Sequence, residues 1–280
     1  MRLSQRIVVK YIRTKFKLLS SLSKRKAAVK AFQLFCTPQH RNKKKLPPIF
    51  EKGENLHFTF HGNTVRGFRW NHPADKKVLI LHGFESSIVN FDRYVKPLMK
   101  KGYEVLAFDA PAHGRSSGRT INILLYKELI QTIIEKYGPV TSFMAHSLGG
   151  LALSIAVESM EHSEDWKLAL IAPATETTTA VDTFFNFLKL DEEVKKEFGK
   201  VIFELSGKQP EWFSVARAVT NIKAQIFWAH DKDDHMTPLS DVEPVIKLAP
   251  ANIQFMVTEG LGHRRIYRDN KVSKAVVDFL

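Results

Sequence analysis

Short, continuous apolar runs that alternate with helical segments restrict the fold of this chain more than any other feature. Strands that are buried on both faces of a parallel sheet have such unbroken apolar runs. Helical periodicity in Thr120–Tyr137 and Leu148–Glu158 separates some of them. The alternation predicts an α/β fold, a mostly parallel sheet flanked by helices, with buried strands at Val78–Leu81, Glu104–Phe108, Thr141–Ala145, Leu168–Ile171, Gln225–Ala229 and Ile253–Thr258.

Two segments depart from this alternation. Asn55–Phe60 and Thr64–Arg69 have the alternating pattern of half-buried strands and flank three turn residues, which predicts an antiparallel hairpin and a sheet of eight strands in all. Residues 175–223 are too many for a single crossover and are rich in phenylalanine, so we expect a small helical cap insertion there. A length of 280 residues suits one large α/β domain, which we place at 51–280.

The basic charge of the chain is concentrated at its N-terminus. The formal net charge is +13, yet residues 1–45 hold 14 of the 42 Lys and Arg and none of the 29 Asp and Glu. The rest of the chain therefore carries 28 basic and 29 acidic residues and shows no basic stripe. Because nucleic-acid-binding domains need such a stripe, we expect no nucleic acid partner.

Residues 1–50 are predicted to form a basic amphipathic arm and a linker. Val8, Ile12, Phe16 and Leu19 recur at helical spacing with basic residues between them. Such a helix can lie on an anionic membrane surface as a peripheral contact. It can equally dock by its apolar side onto the folded domain. Both alternatives remain open, and the oligomeric state is not predicted.

The single cysteine, Cys36, cannot form an internal disulfide, which removes the main argument for an oxidising compartment. Charged residues interrupt the N-terminal apolar positions, so no secretory signal of the usual kind is recognisable. The cytoplasm is therefore the expected location, with membrane association through the arm left open.

Ser147 stands between a predicted buried strand and a predicted helix, with Ala145 two residues before it and Gly149 two residues after it. A serine on a sharp strand-to-helix turn projects its hydroxyl from the sheet and needs small neighbours. The segment resembles the nucleophile elbow of the α/β-hydrolase family, G-x-S-x-G, with Ala145 in place of the first glycine. The resemblance implies that Ser147 is a nucleophile.

The same resemblance implies a base and an acid. His263 follows the last predicted strand, where the family carries its histidine, and a neutral imidazole can accept the proton of a serine and return it later. Asp234 lies four residues before Pro238, which matches the family's D-x-x-x-P loop, and Asp233 is the alternative acid. The order Ser147, Asp234, His263 is the order of this family.

An oxyanion needs backbone N–H donors, and the resemblance implies two of them. Leu148, the residue after the nucleophile, supplies one, and Phe84 in His82-Gly83-Phe84 supplies the other.

The expected activity is that of a serine hydrolase that cleaves a small or medium apolar carboxylic ester through an acyl-enzyme. Thioesterase or amidase activity, and a catalytically silent binding protein, remain open. No metal cluster, phosphate loop or dinucleotide fingerprint is recognisable, so no cofactor is expected.

Overall fold

The structure is a computed structural model that describes residues 3–42 and 44–280. Its sheet confirms the predicted eight strands, in the order β1-β2-β4-β3-β5-β6-β7-β8. β1 pairs with β2 and β2 with β4 in antiparallel fashion, and the other pairs are parallel. The strands are β1 Glu54–Phe60, β2 Asn63–Trp70, β3 Lys76–Leu81, β4 Tyr103–Asp109, β5 Ser142–His146, β6 Lys167–Ile171, β7 Gln225–Asp231 and β8 Ile253–Thr258.

Helices surround this sheet and also form a second compact unit. The described residues contain α1 Leu3–Leu22, α2 Lys24–Phe35, α3 Asp92–Lys100, α4 Ile123–Tyr137, α5 Leu148–Glu158, α6 Thr177–Leu188, α7 Glu192–Ser206, α8 Val215–Ala218, α9 Glu243–Leu248, α10 Gly262–Arg265 and α11 Asn270–Phe279. None of them is both long enough and apolar enough to cross a membrane.

The central strands are covered on both faces. Val78 and Ile80 of β3 belong to one buried apolar cluster with residues of α3 and α11, such as Tyr94 and Val276. Leu79, which points to the opposite face because side chains alternate along a strand, is equally buried. This two-sided burial explains why the central strands have continuous apolar runs in the sequence.

The unit that contains the sheet consists of Pro38–Thr175 and Ser214–Leu280. The other unit combines α1 and α2, up to Thr37, with the insertion Glu176–Phe213. These divisions fall near, but not at, the predicted limits of the arm at residue 50 and of the insertion at 175–223. The predicted domain limits stay predictions, and the sequence pattern did not predict that the arm and the insertion share a unit.

Within the helical unit, α2 packs on α7 by its apolar side. Three alanines of α2 are fully buried, and Phe35 makes edge-to-face contacts with Phe184 and Phe198 at ring-centroid distances of 5.2 and 5.7 Å. Lys24 and Asp191 form an ion pair at 2.7 Å. Within this unit α2 therefore packs against the insertion, while docking of the amphipathic helix onto the domain and its contact with a membrane both stay predictions.

Candidate active site

The sheet order brings the ends of four strands to the same edge. Parallel strands end at one edge, and ligands of open α/β sheets bind where the chain switches direction across the sheet. Here the switch lies at β3, since β4 is its neighbour on one side and β5 its neighbour on the other. Ser147 directly follows β5, and Gly83 follows β3. Asp234 and His263 follow the neighbouring strands β7 and β8.

Ser147 adopts the backbone conformation of a sharp elbow. Its φ is 54° and its ψ is −124°, which few residues other than glycine adopt. The following helical turn has no space for a side chain at Gly149, because a Cβ there would lie 2.7 Å from the carbonyl oxygen of His82. Ala145 is completely buried in β5, so its methyl group is accommodated where the family motif has glycine. Strain of this kind is found at functional sites.

His263 lies within hydrogen-bond distance of both other residues that were predicted to form a triad. Ser147 Oγ is 3.0 Å from His263 Nε2, and His263 Nδ1 is 2.7 Å from Asp234 Oδ2. All three side chains are buried or nearly so. With Nδ1–H donating to the carboxylate, Nε2 is left as the acceptor of the Ser147 hydroxyl. This is the geometry that an activated serine requires.

The carboxylate of Asp234 is held by several donors besides His263. Met236 and Thr237 donate their backbone N–H groups to Oδ1, both at 2.9 Å, and the Thr237 hydroxyl donates to Oδ2 at 2.8 Å. Burial alone would raise the pKa of Asp234, but the bonds from His263 and Thr237 outweigh it and hold the pKa at about 2. Asp234 is therefore ionised at neutral pH. No sequence pattern indicated a role for Thr237, whose hydroxyl also lies 3.1 Å from His263 Nδ1.

The alternative acid, Asp233, has a different environment. It is exposed, and its Oδ2 accepts from the backbone N–H of Gly260 at 2.8 Å rather than from His263. Asp231, for which no sequence pattern indicated a role, accepts from the N–H groups of Leu261 and Gly262 at 3.1 and 2.8 Å. Both carboxylates thus hold the loop that precedes His263, while Asp234 faces the imidazole.

The loop that contains Phe84 passes close to Ser147. A Cβ built on Gly83 would lie 2.7 Å from Ser147 Cβ and 3.2 Å from its Oγ, so glycine is required by the close approach. Within the described part of the chain, the backbone N–H groups of Phe84 and Leu148 donate to no protein acceptor. An oxyanion site needs such unbonded amide donors, and the assignment of Phe84 and Leu148 to one stays a prediction.

Gly83→Ala tests this close approach. The added methyl group must displace either the loop or the elbow, and the Phe84 amide moves with the loop. We expect kcat for an ester substrate to fall about 10²- to 10³-fold, as for the loss of one oxyanion donor. Gly199→Ala is the matched control, because its nearest neighbour is a flexible proline atom at 3.8 Å. Equal activity of the two variants would contradict a role for this loop.

Buried histidines beside the site serve as supports. His146 Nε2 lies 3.0 Å from the carbonyl oxygen of His263 and donates to it, and its ring lies 4.7 Å from the His263 ring. His82 accepts from the N–H of Ala110 at 3.0 Å. Burial lowers the pKa of His82 to about 4, and it lowers the pKa of His146 well below the ordinary value. Both rings are therefore neutral at pH 7, and His146 holds the backbone of His263.

The described residues contain no group of three or more His, Cys, Asp or Glu side chains arranged to hold a metal ion. The site offers instead a serine hydroxyl, an imidazole acceptor, an ionised carboxylate and two amide donors. These groups can perform nucleophilic acyl transfer with general base and acid assistance.

Two relatives with partial matches are similar to short stretches of the chain. A Bacillus subtilis protein named "Uncharacterized hydrolase YugF" is 30% identical over 109 residues, which are 37% of this chain and 40% of that protein. A Drosophila melanogaster protein named as a probable serine hydrolase is 31% identical over 93 residues, which are 31% of this chain and 28% of that protein. Both matches thus span well under two thirds of these relatives.

Two further comparisons cover larger parts of the chain. The structure of a Pyrococcus furiosus esterase superimposes with a TM-score of 0.65 over 87% of this chain and 95% of that one, at 22% sequence identity, which shows a shared fold. Residues 72–224 match the family model described as serine aminopeptidase, S33. This match includes Ser147 and ends before Asp234. Since it covers more than half of the 280 residues, the chain belongs to the serine aminopeptidase S33 family of the α/β-hydrolase superfamily.

Proposed function

We propose that this protein is a serine hydrolase that cleaves carboxylic esters through an acyl-enzyme. The observation that supports the proposal most is the continuous set of hydrogen bonds from Ser147 through His263 to Asp234, at 3.0 and 2.7 Å. Family membership supports hydrolysis in general, and the esterase of similar fold makes an ester the first substrate class to test. Thioesters and amides are the alternatives within the same chemistry.

The proposed reaction begins with attack of Ser147 Oγ on the ester carbonyl carbon. The hydroxyl proton passes to His263 Nε2, and the new oxyanion accepts from the amides of Phe84 and Leu148. The C–O bond to the alcohol then breaks, and the alcohol leaves with the proton from His263. Water attacks the acyl-enzyme with His263 again as base, which releases the acid and restores Ser147. Asp234 stays ionised and accepts from Nδ1–H throughout.

Apolar side chains next to Ser147 favour a small or medium substrate of apolar character. Phe84 and Leu148 are half-buried beside the serine, so apolar side chains adjoin the proposed oxyanion site. Within the described residues, the side-chain hydrogen-bond partner of Ser147 Oγ is His263, and no Lys, Arg, Asp or Glu bonds to it. We therefore expect short neutral acyl chains to be hydrolysed faster than charged ones.

The test is labelling with a fluorophosphonate probe, followed by peptide mapping and by assays with matched ester, thioester and amide substrates. We expect the label on Ser147 and the highest kcat/KM for the ester. A label on another serine would overturn the site, whereas a labelled Ser147 with the thioester or amide preferred would overturn only the ester assignment. A folded protein that takes no label and hydrolyses nothing would favour a catalytically silent binding protein.

A further inference from the structure

An exposed row of apolar side chains follows one side of α1. Ile7, Tyr11, Leu18 and Leu22 are 62, 66, 65 and 77% exposed. They are separated by four, seven and four residues, and this spacing places side chains on the same side of an α-helix. We call these four residues the α1 stripe. Such large apolar side chains at regular helical spacing are uncommon on a surface that meets only water.

The α1 stripe is not the side by which the helix packs. Phe16, which the helical spacing places on the side away from Tyr11, is 6% exposed and is a buried apolar residue of α1. Ile12 and Leu19 lie next to Phe16 and are half-buried. Ile12, Phe16 and Leu19 were among the apolar positions that predicted the amphipathic arm, and their burial stabilises the helical unit. The stripe is therefore a second apolar surface of α1 that is largely exposed.

Basic side chains border the stripe on both sides. Helical geometry places Lys10 and Lys17 along one border and Lys15 along the other, and all three are exposed. None of the three forms an ion pair within residues 3–42 and 44–280. Acidic residues are absent from the sequence of α1 and α2, so no local carboxylate neutralises this charge.

We propose that α1 lies on the surface of an anionic phospholipid bilayer, with the α1 stripe among the headgroups and Lys10, Lys15 and Lys17 on the lipid phosphates. Helices that bind membranes in this way are amphipathic, carry Lys and Arg beside the apolar face, and lie in the plane of the interface. Tyr11 suits this depth, because its ring is apolar and its hydroxyl is polar. The three lysines are complementary in charge to any negative surface. The exposed α1 stripe favours a bilayer over a nucleic acid, because only the bilayer offers an apolar interior.

This arrangement fits a bilayer better than a second copy of the chain. In a symmetric pair of α1 helices, the lysines that border one stripe would face those that border the other, and like charges repel at short distance. A bilayer that contains anionic lipids attracts basic side chains near its surface. The inference concerns α1 alone and does not rest on the proposed ester hydrolysis.

The test measures co-sedimentation of the full chain with vesicles of phosphatidylcholine alone and with vesicles of equal parts phosphatidylcholine and phosphatidylserine. We expect binding to the mixed vesicles that weakens as salt is added. Ile7→Gln with Leu18→Gln should weaken it about tenfold or more through the apolar contribution. Lys10→Gln with Lys17→Gln should weaken it by a similar factor through the charges.

Matched controls come from exposed residues of the other unit. Leu248→Gln removes an apolar side chain that is 71% exposed, and Lys76→Gln with Lys100→Gln removes two exposed charges. These variants should bind vesicles as the parent does. Circular dichroism would show that all variants fold, as expected for exposed positions. Equal binding to both vesicle types, no binding to either, or parent-like binding of the stripe variant would overturn the proposal. So would a dimer in solution that the stripe variant abolishes.

Discussion

Ser147→Ala is expected to lower kcat for ester hydrolysis by about 10⁶-fold, the effect seen when the nucleophile of a triad is removed. The variant keeps the amides of Phe84 and Leu148, which we propose as the oxyanion donors. Ester hydrolysis should therefore remain faster than the uncatalysed reaction in water. The measurement is turnover of a short chromogenic ester, with fluorophosphonate labelling of the same preparations. The label should disappear together with the activity.

Ser154 of α5 provides the control. Ser154 is completely buried, and its hydroxyl donates to the carbonyl oxygen of Gly150 at 2.9 Å rather than to the imidazole of His263. Ser154→Ala removes this local bond and should leave kcat and labelling nearly unchanged. Thermal unfolding of both variants separates loss of the nucleophile from loss of the fold. Activity that survives in Ser147→Ala would refute the assignment of the nucleophile.

Local patterns in the sequence were sufficient to predict the sheet and the positions of Ser147 and His263 along it. The predicted strand Thr141–Ala145 corresponds to β5 at Ser142–His146, and the predicted helix Leu148–Glu158 has the limits of α5. Burial on both faces of the sheet leaves continuous apolar runs, which makes such strands recognisable. The predicted start of α4 was less accurate, because the helical pattern was placed from Thr120 and the helix begins at Ile123. It begins after Asn122, whose side chain accepts from Leu125 N–H, a capping signal that the prediction did not use.

The features that the sequence did not predict depend on residues far apart in the chain. The ring contact of Phe35 with Phe184, and the ion pair of Lys24 with Asp191, join segments that no local pattern connects. The hydrogen bond from His146 to the backbone of His263 likewise joins the end of β5 to the loop after β8. Periodicity reports which face of an element is buried, but not which element covers it.

Asp234→Asn should lower kcat by about 10⁴-fold, because an amide can donate to Nδ1 and thereby stabilise the wrong tautomer of His263. Asp234 accepts from Nδ1–H at 2.7 Å, and the donors around it hold its pKa at about 2.

A carboxyl whose pKa is lowered by folding stabilises the folded state above its unfolded pKa, near 4, and loses that contribution as the pH falls towards 2. The activity of the parent protein should therefore show no loss that follows protonation of Asp234 above about pH 4.

Asp233→Asn is the matched control for this prediction, because it makes the same chemical change one residue earlier. Asp233 is exposed and accepts from the N–H of Gly260, so its amide variant should keep kcat within about threefold of the parent, as for a surface substitution. The two variants measured side by side with the same ester decide which carboxylate orients His263. If Asp233→Asn proved the more damaging, the loop in solution would have to present Asp233 to the imidazole, and the hydrogen bonds that surround Asp234 would serve only to fold that loop.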